Sequence, residues 1–83
     1  MSKFQLESNR YKTYGWFIFS EIRRSFRLST VELPLGHGYE TCVFDNDRRY
    51  CDVVGRYDTE AEAILGHFEH MKRYGLTSVK KVV

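Results

Sequence analysis

The imidazoles and thiols through which this chain could ligate a metal or attack a substrate belong to three histidines and two cysteines. His67 and His70 stand three positions apart, so a helix would hold both imidazoles on one face, with His37 or Glu60 as the available further ligands. That spacing alone is a weak metal signature, and a helix flank packed by the chain's own ends is the plainer reading. Gly36-His37-Gly38 supplies a flexible loop around an imidazole, but no serine or cysteine is set beside it by sequence as a nucleophile. Cys42 falls in an expected strand, where burial suppresses thiolate character. Asp45, Asp47 and Asp52 suit turn chemistry better than general acid–base catalysis. No glycine-rich phosphate cradle is present. The expectation is a protein that is not an enzyme and holds no cofactor or metal.

The element that positions the two helical histidines is the clearest in the chain. Thr59 followed by Glu62 has the form of a capping box, and Asp58, Glu60 and Glu62 set negative charge at the positive end of the helix dipole. Lys72 and Arg73 complement the far end, and Gly75 is the natural stop. Ala61, Ile64, Leu65, Phe68 and Met71 recur at helical spacing and predict the core face. Glu62, Glu69 and Arg73 mark the solvent side. A third stripe of Ala63, His67, His70 and Tyr74 lies between them with Gly66 at its margin, and its small and aromatic residues suit either self-packing or a partner.

Aromatic and β-branched runs ahead of the helix predict strands. Tyr14 to Ile22 is the first, with a helix over 16–26 as its rival reading because Phe19, Ile22 and Phe26 share helical spacing. Leu28 to Leu33, Tyr39 to Phe44 and Tyr50 to Arg56 complete the set, with Pro34 ending the second of the four. A two-residue turn at Asn46-Asp47 would pair Phe44 with Arg49, Val43 with Tyr50 and Cys42 with Cys51. Those cysteines read as small buried hydrophobes rather than as a disulfide or half of a zinc site.

The fold expected is α+β: a four-stranded antiparallel β-meander with one C-terminal helix packed on one face. Its core is Trp16, Ile18, Val31, Leu33, Cys42, Phe44, Cys51, Val53, Ile64, Leu65, Phe68 and Met71. The 83 residues make a single domain, with 1–13 as a flexible start that includes an edge strand around Phe4-Gln5-Leu6. The core spans 14–75, and the tail over 76–83 is either a further edge strand or disordered.

Thirteen Lys and Arg against eleven Asp and Glu leave a net charge of +2, short of the basic footprint of a dedicated nucleic-acid binder. The longest apolar cluster, Trp16-Phe17-Ile18-Phe19, is too short to span a membrane, and no signal-peptide pattern is seen, so a cytoplasmic protein is expected. Arginines at the turns (Arg23, Arg24, Arg27, Arg48, Arg49), with Tyr14, Phe17, Phe19, Tyr39 and Tyr50 as a stacking surface, frame single-strand nucleic-acid binding as the alternative function. The favoured function is protein binding, to a host protein or in a homodimer. Its surface would be the open sheet face of Tyr39, Thr41, Val43 and Tyr50, or the His67, His70 and Tyr74 stripe.

Ser29-Thr30-Val31, then Leu33, Leu35 and His37, then Tyr39-Glu40-Thr41 with Val43-Phe44, and finally Arg56-Tyr57, Thr59, Glu62-Ala63 and Gly66-His67 form a spaced pattern over residues 28–67. In this pattern the chain resembles a family of small uncharacterised proteins encoded by bacteriophages and prophages. It departs from that family at Gly36, where an acidic residue is usual, in a shorter loop before Tyr39, and in its hairpin around Asn46. The resemblance implies a phage origin and a sheet-plus-helix fold. By analogy it implies stoichiometric binding to a host protein, such as inhibition of a bacterial defence system or a CRISPR effector.

Overall fold

The computed structural model describes residues 4–10, 15–17, 20–22, 26–45, 49–76 and 79–82. The strands are β1 (Gln5–Arg10), β2 (Gly15–Phe17), β3 (Ser20–Ile22), β4 (Phe26–Glu32), β5 (Tyr39–Asp45), β6 (Tyr50–Tyr57) and β7 (Lys80–Lys81); α1 (Glu60–Tyr74) follows β6. The main sheet has the order β6-β5-β4-β1-β7, all antiparallel, and α1 packs across one face. The α+β architecture with a four-stranded meander and one C-terminal helix is thus the observed one, with a two-residue strand added at its edge.

The first strand of the meander is not the segment from Tyr14 to Ile22. Gln5–Arg10 takes that place beside β4, from Gln5 opposite Val31 to Arg10 opposite Phe26. Between these two strands in sequence, β2 and β3 pair with each other as a separate two-stranded antiparallel sheet. Phe4, Leu6 and Ser8 alternate with half-buried Gln5 and Glu7, so residues 4–8 supply a buried strand face. Val82 donates its backbone N–H to the Gln5 carbonyl at 2.8 Å, and β7 closes on β1, so the tail is the further edge strand.

Pairing of β5 with β6 also differs from the two-residue turn. Asp45 lies opposite Tyr50, Phe44 opposite Cys51, Val43 opposite Asp52 and Cys42 opposite Val53, so the connection runs from 46 to 49 and the two cysteines do not face each other. A β-bulge opposite Thr41 and Cys42 then resets the register, bringing Gly55 opposite Thr41 and Tyr57 opposite Tyr39. Asn46, Asp47 and Arg48 lie outside the described residues.

The helix ends follow the sequence signals. Thr59 Oγ1 accepts the Glu62 backbone N–H at 3.2 Å and donates to Glu62 Oε1 at 2.9 Å. Gly75 closes the helix in the left-handed region at φ 67°, with Leu76 N–H donating to the Met71 carbonyl at 2.8 Å.

The face that α1 turns to the sheet is not the most apolar one. Ala63, His67 and Met71 are buried, with Ile64, His70 and Tyr74 half-buried, while Leu65 is 68% and Phe68 43% exposed. The sheet presents the matching set: Phe4, Leu6 and Ser8 from β1 and its approach, Phe26, Leu28 and Thr30 from β4, Thr41 and Val43 from β5. Two apolar clusters result. Phe26, Leu28, Val43, Met71 and Leu76 gather with Val54 and Tyr74; Phe4, Leu6 and Ala63 gather with Tyr39, Tyr57 and Ile64.

Most of the expected core is therefore displaced. Val31, Leu33, Cys42 and Phe44 are half-buried and Cys51 and Val53 exposed, so the core lies on the other face of the sheet. Of the expected core residues whose side chains are described, Met71 alone is buried, and Ile64 of the helix is half-buried. The side chains of Trp16 and Ile18 lie outside the described residues. On β5 the alternating sets Cys42/Phe44 and Thr41/Val43 are nearly equal in apolar character, so alternation does not choose between them. The helix chooses, because its buried histidine needs hydroxyl partners that stand on the Thr41 side.

Candidate functional site

Between the two apolar clusters runs a chain of buried hydroxyls around one imidazole. His67 Nε2 lies 2.9 Å from Ser8 Oγ, and His67 Nδ1 lies 2.7 Å from Thr30 Oγ1. Thr30 Oγ1 is in turn 2.6 Å from Thr41 Oγ1. His67, Thr30 and Thr41 are fully buried, and Ser8 is 1% exposed. A neutral imidazole has one donor and one acceptor nitrogen, and hydroxyls reverse direction freely, so either tautomer satisfies the row. A charged imidazolium would be sealed from water with no carboxylate among these partners. Burial accordingly lowers the His67 pKa from 6.5 to about 4, with the nearby His70 acting in the same direction.

Gly66 is explained one position earlier on the same helix. A Cβ there would run into the phenol of Tyr57, and so would one on Gly55 of β6. The two glycines together make the slot in which the half-buried Tyr57 ring lies. Its position follows from the bulge, which turns Gly55 and Tyr57 to the helix side alongside Thr41 and Tyr39. His70 reaches the backbone of Val54 on the same strand. Burial lowers its pKa and Arg73 lowers it further, against the opposing effects of Glu69 and the Val54 hydrogen bond.

The third helix stripe is therefore the sheet-facing side of α1, covered by this chain. Of the seven residues expected to meet a partner, Thr41, Val43 and His67 are buried beneath the helix, which removes them from any docking surface. Tyr39 is half-buried with its ring edge-on to Phe4 at 5.5 Å, and Tyr74 tilts onto Phe26 at 5.4 Å. His70 is half-buried against β6, and Tyr50 alone is exposed, its hydroxyl donating to Asp52 at 2.9 Å. A shared metal on His67 and His70 is also disfavoured, because both nitrogens of His67 face hydroxyls at hydrogen-bond distance. Among the described residues no three His, Cys, Asp or Glu gather as ligands.

The arginines are divided. Arg27 stacks on the Phe44 ring at 4.0 Å and pairs with Glu7 at 3.5 Å, while Arg49 is exposed beside β6. Arg23, Arg24 and Arg48 lie outside the described residues. Tyr39 pairs opposite Tyr57 at one end of the β5–β6 ladder and Tyr50 opposite Asp45 at the other, so these two do not form one stacking surface. Both cysteines are free. Cys42 donates weakly to Glu40 Oε1 at 3.5 Å, and burial with that hydrogen bond pushes its thiol up to about 11.

Among the described residues, two outward patches are apolar. The sheet face opposite the helix carries half-buried Val31, Cys42 and Phe44 with exposed Cys51 and Val53, framed by the Arg27–Glu7 pair and an Arg56–Glu40 pair at 3.4 Å. The outer side of α1 carries Ala61, Leu65 and Phe68. Sequence periodicity read both sets as core. The available counter-signal was the pairing of Gly66 with a stripe of small and polar residues, which marks a close approach that bulky Leu65 and Phe68 would prevent.

No family model, curated protein or solved structure matches this chain. Among the described residues no helix is long and apolar enough to cross a membrane.

Proposed function

We propose that this chain is a non-catalytic binding protein that docks a protein partner on the open face of its sheet, centred on Phe44, Cys51 and Val53. The observation that carries this reading is that the one helix covers one face and leaves apolar side chains outward on the other, with Val53 41% exposed. Apolar patches rimmed by charged pairs suit protein interfaces. The absence of chemistry in the reading is supported by the burial of His67 and by the raised pKa of Cys42. The resemblance to phage-encoded proteins makes a bacterial host protein the proposed partner class. Inhibition of a defence complex such as a CRISPR effector, in the host cytoplasm, is the proposed outcome.

The test is affinity capture from bacterial lysate with the intact chain and with Val53→Glu and Cys51→Asp, which alter exposed side chains on that face. A partner held by the parent chain and lost by both variants supports the reading. Equal capture by all three removes the sheet face from it. Micromolar nucleic-acid binding with a steep salt dependence would replace it by the arginine-based alternative.

A further inference from the structure

Ala61, Leu65, Phe68 and Lys72 follow one another at spacings of four, three and four along α1, and all four are exposed. Those intervals are the repeat with which one helix meets another along a seam. The inward side of the same helix already uses this spacing at Ala63, His67, His70 and Tyr74 to meet the sheet. The outward seam is the more apolar of the two at its centre, yet Leu65 keeps 68% and Phe68 43% of its surface open. The free edge strand β6 is a weaker candidate for docking, since its bulge and its exposed Asp52 and Arg56 are the features that discourage strand addition.

We infer that the outward seam of α1 binds a second copy of this chain, with the two helices antiparallel about a two-fold axis between His67 and Gly66. The charge order along the helix selects that occupant. Exposed Glu60 and Glu62 lie at the start, exposed Lys72 and Arg73 at the end, and the macrodipole runs between them. A second copy laid antiparallel brings each acidic end against a basic end, twice by symmetry, and opposes the two dipoles. A parallel copy would set like charge on like. With the axis at the centre of the seam, Leu65 of each copy meets Phe68 of the other, and Lys72 comes level with Ala61 and Glu62. One self-complementary patch of this kind is what a closed two-fold interface requires. The contact is separate from the open sheet face, so a partner there and a second copy here are compatible.

The experiment is sedimentation equilibrium of the full chain across the micromolar range, at low and moderate salt. A reversible dimer is expected. Leu65→Glu and, separately, Phe68→Ala should each raise the dimer dissociation constant by about tenfold or more, as central interface side chains do. Their circular dichroism should be unchanged, because neither residue lies in the buried core. Lys72→Glu should weaken the dimer by setting an acid against the acidic helix start of the second copy. A monomer at every concentration overturns the inference, as does a dimer indifferent to Leu65→Glu and Phe68→Ala. Lysate capture that persists in Leu65→Glu keeps the open-face reading standing whatever the fate of the dimer.

Discussion

The phenol of Tyr57 occupies the space that a side chain on Gly66 would need, so the end of β6 and the second turn of α1 meet through one ring and one missing Cβ. Replacing Gly66 by Ala sets two effects against each other. Helix propensity favours Ala by about 1 kcal/mol, whereas forcing a methyl into the Tyr57 ring costs about 1–3 kcal/mol. The slot has Gly55 on its other wall, so the ring cannot move aside freely. Gly66→Ala is expected to destabilise the parent chain in urea unfolding. In a Tyr57→Ala background the same change should be neutral or stabilising. A double-mutant cycle reads this sign reversal directly, and additive effects would show that the ring does not define the slot.

The row from Ser8 through His67 and Thr30 to Thr41 makes stability depend on pH with a definite sign. His67 has a folded pKa of about 4 against an ordinary 6.5, so between these values the unfolded chain binds the extra proton. The neutral-histidine contribution is complete above about pH 6.5 and is lost as the pH falls toward 4. Its size is roughly 3 kcal/mol, a large share of the stability of a domain of this length. His70, also lowered, acts with the same sign. Urea midpoints should be flat from pH 8 to about 6.5 and decline below it. His67→Asn should be less stable than the parent at pH 7 and should lose less on acidification. An imidazole resonance of His67 that titrates near 6.5 by NMR would contradict the buried row.

The helix-end signals in the sequence were reliable because the groups that answer them are local, whereas the register expected from the Asn46-Asp47 turn was not. Thr59, Glu62 and Gly75 find their partners within a turn, and the strands from 28 to 57 are bounded by Pro34, two glycines and a polar turn. The inward face was not legible in the same way. Apolar periodicity ranked Leu65 and Phe68 above Ala63 and His67, and the ranking reverses only when Ser8 and Thr30 are known to meet His67, with Thr41 bonded behind Thr30. Those three hydroxyls come from three strands, and no spacing in the sequence joins them. Phe4, Leu6 and Ser8 mark the first meander strand only once β4 is placed beside them.

The two cysteines should separate cleanly in their reactivity. Cys51 is exposed, while Cys42 is half-buried with its thiol raised to about 11. At pH 8 and under native conditions, a thiol reagent should modify one site per chain rapidly, and mass mapping should place it at Cys51. Cys42 should react at a comparable rate only in denaturant. Cys51→Ser should remove the fast phase. Fast modification of Cys42 in the folded protein would mean that the outer sheet face is more open around Glu40 than the structure describes.

Leu35 and Gly38 both have positive φ in the β4–β5 loop, at 59° and 85°, yet substitutions there should act in opposite directions. Leu35 is 92% exposed, so its side chain has little packing to lose while its backbone sits where a β-carbon is unfavourable by about 1–2 kcal/mol. Asn tolerates that region and does not add the unfolded-state freedom that Gly would, so Leu35→Asn should stabilise the chain by about 0.5–1 kcal/mol. Gly38 is different because a Cβ there would strike the backbone carbonyl of Tyr57, and its own carbonyl accepts the Leu33 N–H at 2.7 Å. Gly38→Ala should cost more than Leu35→Asn gains, by displacing the loop from the β6–α1 junction. Thermal melts of both variants test the pair together. A loss of stability in Leu35→Asn would show that the leucine is held by contacts, and that its left-handed backbone is sustained by them rather than merely tolerated.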